Sequence, residues 1–181
     1  MSNIKEIILP SLEKKNNSKV TNKRKIVNTE IWENCIESIN DVDSFDLIVQ
    51  LKNEGKVNDT QKLIHKNIVT KIQGYKNQDK KKKIYNEEQI VDIHDVIDLL
   101  YESKLLCNYC KIQTNLLYEN VKEMEQWTLD RLDNKVGHNK GNVVISCLAC
   151  NLKRKTMHFK RFEFTKQLQI KKNEDTQSDI K

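Results

Sequence analysis

Apolar residues first recur at helical spacing near Thr29, where Ile31, Cys35, Ile36 and Ile39 share one face. Cys35 reads there as a small core hydrophobe. Three further segments keep that period. SFDLIVQLKNEG has Ser44 as its cap candidate and Gly55 as its stop. NDTQKLIHKNIVTKIQGY carries Leu63, Ile64, Ile68 and Ile72 between an Asp59 cap and a Gly74 stop. KNQDKKKKIYN then reads as a linker. Asn86 is expected to cap EEQIVDIHDVIDLLYESKLL, with Gln89 at capping-box spacing and Ile90, Ile93, Ile97 and Leu100 on one face. His65 and His94 read as packed or half-exposed helix residues and receive no role.

The period changes further on. Trp127–Arg131 alternates like a short strand, residues 133–137 are turn chemistry, and Val143–Ile145 is a second strand. A helix is expected from about Leu148 onwards. The fold class expected is α+β. A polar basic tail (1–28) precedes a helical region (29–103). A ββα module with a basic C-terminal helix (104–172) and an acidic polar tail (173–181) follow.

Composition narrows the classes. With 4 Gly and 1 Pro among 181 residues, collagen-like and Pro-rich readings are out. No apolar run approaches 18 residues, so no membrane span is expected. The N-terminal stretch has no long apolar segment before a cleavage site, so an intracellular, non-secreted protein is expected. Five cysteines then point to metal or redox chemistry, not to a disulfide framework. The net charge of +6 is segregated. Residues 1–103 are balanced, whereas residues 104–172 carry +8. A polyanionic partner, most simply nucleic acid, follows from that segregation. The lysine count alone carries less weight, because Lys outnumbers Arg 28 to 4 throughout.

The basic region also holds CNYC at 107–110 and CLAC at 147–150. Two CxxC knuckles suit one tetrahedral zinc, with Cys107, Cys110, Cys147 and Cys150 as ligands. Zinc needs deprotonated thiolates, and its binding contributes roughly 10–16 kcal/mol in small domains. Redox-type CxxC pairs or plain buried cysteines are the minority alternative.

The string LDRxDN…GH…NVVxxCxxCN resembles the HNH (ββα-metal, treble-clef-like) endonucleases, in the four-cysteine form found on phages, mobile elements and large DNA viruses. The likeness spans roughly residues 104–158. It rests on Asp130 ending the first strand, Asn142 before the second, and Asn151 after the last CxxC. It implies metal-dependent hydrolysis of DNA phosphodiesters to 5′-phosphate and 3′-hydroxyl ends, with Mg²⁺ or Mn²⁺ as catalytic ion beside a structural Zn²⁺. Asp130 and Asn151 offer oxygen ligands to that hard cation. Asn142 is expected to hold the loop by backbone hydrogen bonds. The family's general base is a His after the metal-binding Asp. Here Arg131 stands in that place; it cannot accept a proton at neutral pH but can clamp a phosphate. His138 is the nearest titratable base, and Asp133 is second, as ligand or orienting group. Lys153, Arg154, Lys155, Lys160 and Arg161 are expected along the DNA backbone. Phe159, Phe162 and Phe164 are expected against the N-terminal helices. The rival reading is a non-catalytic zinc module that docks on nucleic acid or on a protein, favoured by the missing His.

Overall fold

A computed structural model describes residues 44–54 and 58–168. The helix expected from Thr29 and both terminal tails lie outside the described residues. Helices α1 (Ser44–Glu54), α2 (Asp59–Lys82) and α3 (Ile93–Glu102) precede strands β1 (Trp127–Arg131) and β2 (Val143–Cys147). Helices α4 (Leu148–Arg154) and α5 (Phe159–Gln167) follow. The mixed α+β class expected from the sequence is therefore present. Among the described residues no helix is long and apolar enough to cross a membrane.

Three helix boundaries differ from expectation. The first is at α2. Asn58, not Asp59, is its N-cap, in a reciprocal capping box with Gln61. The helix does not stop at Gly74 but runs through the expected linker to Lys82. A mid-helix Gly costs about 1 kcal/mol. That cost is outweighed because the buried row continues past it: Ile64, Ile68, Ile72, Tyr75, Asp79. Lys83 ends the helix in the left-handed region, at φ 58°.

The second is at α3. Asn86 does accept hydrogen bonds from the backbone of Glu88 and Gln89, but only a turn forms there. Ile90 instead bridges to Asn139. The helix starts after Asp92, whose capping box uses Asp95. The third is the basic C-terminal helix, which is two helices. Lys155, at φ 51° and ψ −114°, breaks it between α4 and α5.

The strands pair antiparallel, with Trp127 opposite Cys147 and Arg131 opposite Val143. Both faces of β1 are buried. One apolar core joins α1, α2 and α3 to the hairpin, through Ile48, Ile64, Ile68, Val96, Leu100, Trp127, Leu129 and Ile145 among others. It crosses residue 103, so the helical region and the hairpin share their interior. A smaller cluster gathers Cys107, Tyr109, Cys147, Cys150 and Phe162.

Candidate metal centre and adjoining cleft

The first knuckle turns at Lys111, which has φ 58° and donates to the Cys107 carbonyl at 3.0 Å. Asn108 N–H donates to the Ile145 carbonyl at 2.8 Å, which ties this knuckle to β2. The second knuckle opens α4. Cys147 is its N-cap, and its Sγ accepts from the Cys150 N–H at 3.4 Å. The four Sγ atoms lie within 4.8 Å of one another, and those of Cys110 and Cys147 are 3.8 Å apart. A tetrahedral ion with Zn–S distances of about 2.3 Å needs S···S separations near 3.8 Å. The cluster fits a structural metal such as zinc. Its electrostatics agree. A hydrogen bond from Cys147 pulls the Cys107 thiol down, while that same bond pushes Cys147 up and burial pushes Cys150 up. One thiolate among four sulfurs disfavours the others; a divalent cation removes that conflict.

Beside the cluster lies a cleft of about 590 Å³ between α2, β1 and α4. Asp130, Arg131, His138 and Asn151 all line it, with Lys71, Lys82 and Lys155. The strand period explains the first contribution. Thr128 and Asp130 point to the side covered by α4. There Asn151 Nδ2 donates to Thr128 Oγ1 at 3.1 Å and to the Leu129 carbonyl at 3.3 Å. With its nitrogen so engaged, Asn151 has its Oδ1 left as an acceptor.

Asp130 is held from two directions. Tyr109 Oη donates to its Oδ2 at 2.7 Å. Arg154 forks it, with Nε to Oδ2 at 2.5 Å and an Nη to Oδ1 at 2.8 Å. A carboxylate offers about four lone-pair directions. Three are occupied, and the fourth is on Oδ1. Tyr109 in turn packs edge-on against Phe162 at 4.9 Å. Burial and then the bond to Asp130 push its phenol pKa up.

Arg154 is consequently not on the DNA-facing row where the sequence pattern puts it. It is 1% exposed and also donates to the carbonyls of Arg131 and Met157. Lys153, Lys155, Lys160 and Arg161 are exposed. Phe162 packs on the cysteine cluster, not against the N-terminal helices, and Phe164 is exposed.

The loop between the strands is organised by Asn142. Its Oδ1 accepts from Asp133 N–H at 2.9 Å, and its Nδ2 donates to the carbonyls of Asp133 and Gly137 at 3.1 and 2.9 Å. Asp133 is not part of the cleft. It caps the turn by accepting from Lys135 N–H at 2.8 Å, and it faces a separate depression with Asn142, Thr156 and His158. Arg131 turns toward the carbonyls of Asn134 and Val136, with Asp79 3.8 Å away.

His138 is buried, stacked on Tyr75 at 4.4 Å, with its Nδ1 2.9 Å from Asp79. Burial holds its imidazole below the usual histidine range, partly offset by the Asp79 charge. Lys71, Tyr75, Asp79 and Tyr109 carry no role in the sequence pattern. Asp79 falls in the apparent linker, and only its place four residues beyond Tyr75 on the buried row marks it. Searches against family models, curated proteins and solved structures return no match.

Proposed function

We propose that the protein is a metal-dependent endonuclease of the HNH type, cutting DNA phosphodiesters beside a structural zinc. The observation that carries this reading is convergence: Asp130, Asn151 and His138 line one cleft rimmed by Lys71, Lys82 and Lys155. Asp130 Oδ1 and Asn151 Oδ1 would hold the catalytic cation. When bound, Mg²⁺ or Mn²⁺ would polarise the phosphate and stabilise charge on the leaving oxygen. His138 has its Nδ1 occupied by Asp79. Its Nε2 accepts the proton of the attacking water. Lys82 and Lys155 position the flanking phosphates. Arg131, one residue beyond Asp130, adds fixed positive charge to the cleft wall.

A zinc-stabilised docking module is the second reading. It is favoured by the fork of Arg154 on Asp130, which leaves that carboxylate a single lone-pair direction.

The test is nicking of supercoiled plasmid with Mg²⁺ or Mn²⁺, with EDTA as control. Asn151→Ala is expected to abolish nicking while zinc content and DNA affinity persist; the double variant Asp130→Asn/Arg154→Met, which leaves no stranded charge, is expected to abolish nicking with zinc content retained. A wild type that cuts nothing with any divalent ion replaces this reading with the docking module.

A further inference from the structure

We infer that Asp79, on helix α2 and outside the zinc module, is a positioning residue that fixes the tautomer and orientation of His138 for proton transfer. This inference rests on the nuclease reading above and extends it to the helical region.

The Asp79 carboxylate is fully buried, both its oxygens are hydrogen-bonded to His138, and the Arg131 guanidinium stands 3.8 Å from Oδ1. Its Oδ2 accepts from the His138 backbone N–H at 2.7 Å. Its Oδ1 lies 2.9 Å from His138 Nδ1. With Oδ2 accepting from the backbone N–H, the carboxylate serves as acceptor at Oδ1 as well, which assigns the hydrogen to Nδ1 and the lone pair to Nε2. That is the tautomer a base needs when Nε2 does the work. Tyr75 stacks on the other side of the ring and fixes its plane, while its hydroxyl accepts from Leu129 N–H at 3.0 Å. Helix α2 thereby grips β1 and the imidazole together.

The loop is shaped for this approach. A Cβ at Gly137 would lie 2.7 Å from the Ile84 carbonyl and 2.9 Å from Asp79 Oδ2. The bare backbone is what lets the loop reach the end of α2. Val91 N–H then donates to the His138 carbonyl at 3.0 Å, closing the seat from the far side.

The charged and titratable groups facing the ring are Asp79, Lys82 and Tyr75 from α2 and Arg131 from β1. Asp79 is the negative one among them. It raises the imidazole's proton affinity, while burial, Arg131 and Lys82 lower it. Replacing Asp79 by a neutral isostere therefore moves the His138 titration to lower pH. It also leaves one oxygen for two donors, which frees Nδ1 to lose its hydrogen.

The experiment is Asp79→Asn, compared with wild type and His138→Ala. Plasmid nicking in Mg²⁺ is measured across pH, and the His138 tautomer is read by ¹⁵N NMR of the imidazole. Zinc content and melting temperature are followed on the same samples. Wild type is expected in the Nδ1–H form. Asp79→Asn is expected to lower the cleavage rate by about 10²–10⁴-fold, with the acid limb of the profile moved down in pH and a larger Nε2–H fraction. If Asp79→Asn fails to fold, the wild-type tautomer and its titration decide. A wild type in the Nε2–H form overturns the inference. So does an Asp79→Asn enzyme with wild-type rate and profile. Full activity in His138→Ala overturns it while leaving the nuclease reading intact. No cleavage by wild type, with the Nδ1–H form still present, overturns the nuclease reading and this catalytic role with it.

Discussion

A carboxylate already forked by a guanidinium makes a weak ligand for a second cation, because the pair has no net charge. Asp130 is in that position, and its fork partner is buried with it. The pair is fragile to the loss of either partner alone, because both are buried. Removing Arg154 strands a buried charge, so Arg154→Met is expected to cost about 3–5 kcal/mol in urea unfolding. Adding Asp130→Asn to that variant removes the stranded charge and is expected to recover most of the loss. Lys71 supplies a second residue-scale expectation. Its ammonium donates to the Trp127 carbonyl and to Gln126, and it lies over the Trp127 ring at 4.3 Å. Burial pulls its pKa from 10.5 down to about 7. The unfolded chain therefore binds the extra proton between those two values, and stability from this site rises with pH across that window. Against Lys71→Met, the wild type is expected to gain relative stability from pH 7 towards pH 10. Parallel melting curves through that range would show that the lysine is not held neutral.

At the scale of elements, the decisive contact is that of the β1–β2 loop with the end of α2. Gly137→Ala forces a methyl into the Ile84 carbonyl, a backbone atom that cannot swing away. The expected loss is about 1–3 kcal/mol, as for overpacked cores, together with a weakened His138–Asp79 pair. Thermal melting and the NMR signal of His138 check the two parts. This loop also marks where sequence reading stops. The hairpin and the knuckles are legible because period-2 alternation and CxxC spacing are local signals, whereas Asp130, Asn151 and His138 are singled out by the motif likeness and by their place in the loop, not by any period. The continuation of α2 is not legible, because Gly74 and the lysine run mimic a stop, and only the hairpin, far along the chain, buries Tyr75 and Asp79. Arg154 was misplaced for the same reason. Its neighbours Lys153 and Lys155 look equivalent in the sequence, yet the helical turn points Arg154 alone at Asp130. The start of α3 moved because Ile90 was diverted into a bridge with Asn139, a partner no local pattern announces.

At the scale of the molecule, the two cores among the described residues make two separable responses. The apolar core of α1, α2, α3 and the hairpin does not use the thiolates, whereas Tyr109 and Phe162 pack on the cysteine cluster. Cys107→Ser, or strong chelation, is expected to loosen the second and to release Asp130 from Tyr109, while α2 keeps its helicity by circular dichroism. Charge behaves as a property of the whole surface as well. Among the described residues after the second knuckle, Lys153, Lys155, Lys160 and Arg161 are exposed cations, whereas Arg154 is buried. Each phosphate contact on B-DNA contributes about 0.9 to the slope of log K against log [salt]. Replacing Lys153, Lys155 and Lys160 by Gln is therefore expected to flatten that slope by up to about 2.7. Replacing Arg154 should leave the slope unchanged at temperatures where the variant stays folded, since its charge already belongs to Asp130. Binding measured by fluorescence anisotropy over a salt series separates the two. A slope that ignores the three lysines but follows Arg154 would mean that DNA approaches through the Asp130 cleft and opens the fork, and the exposed row would lose its role.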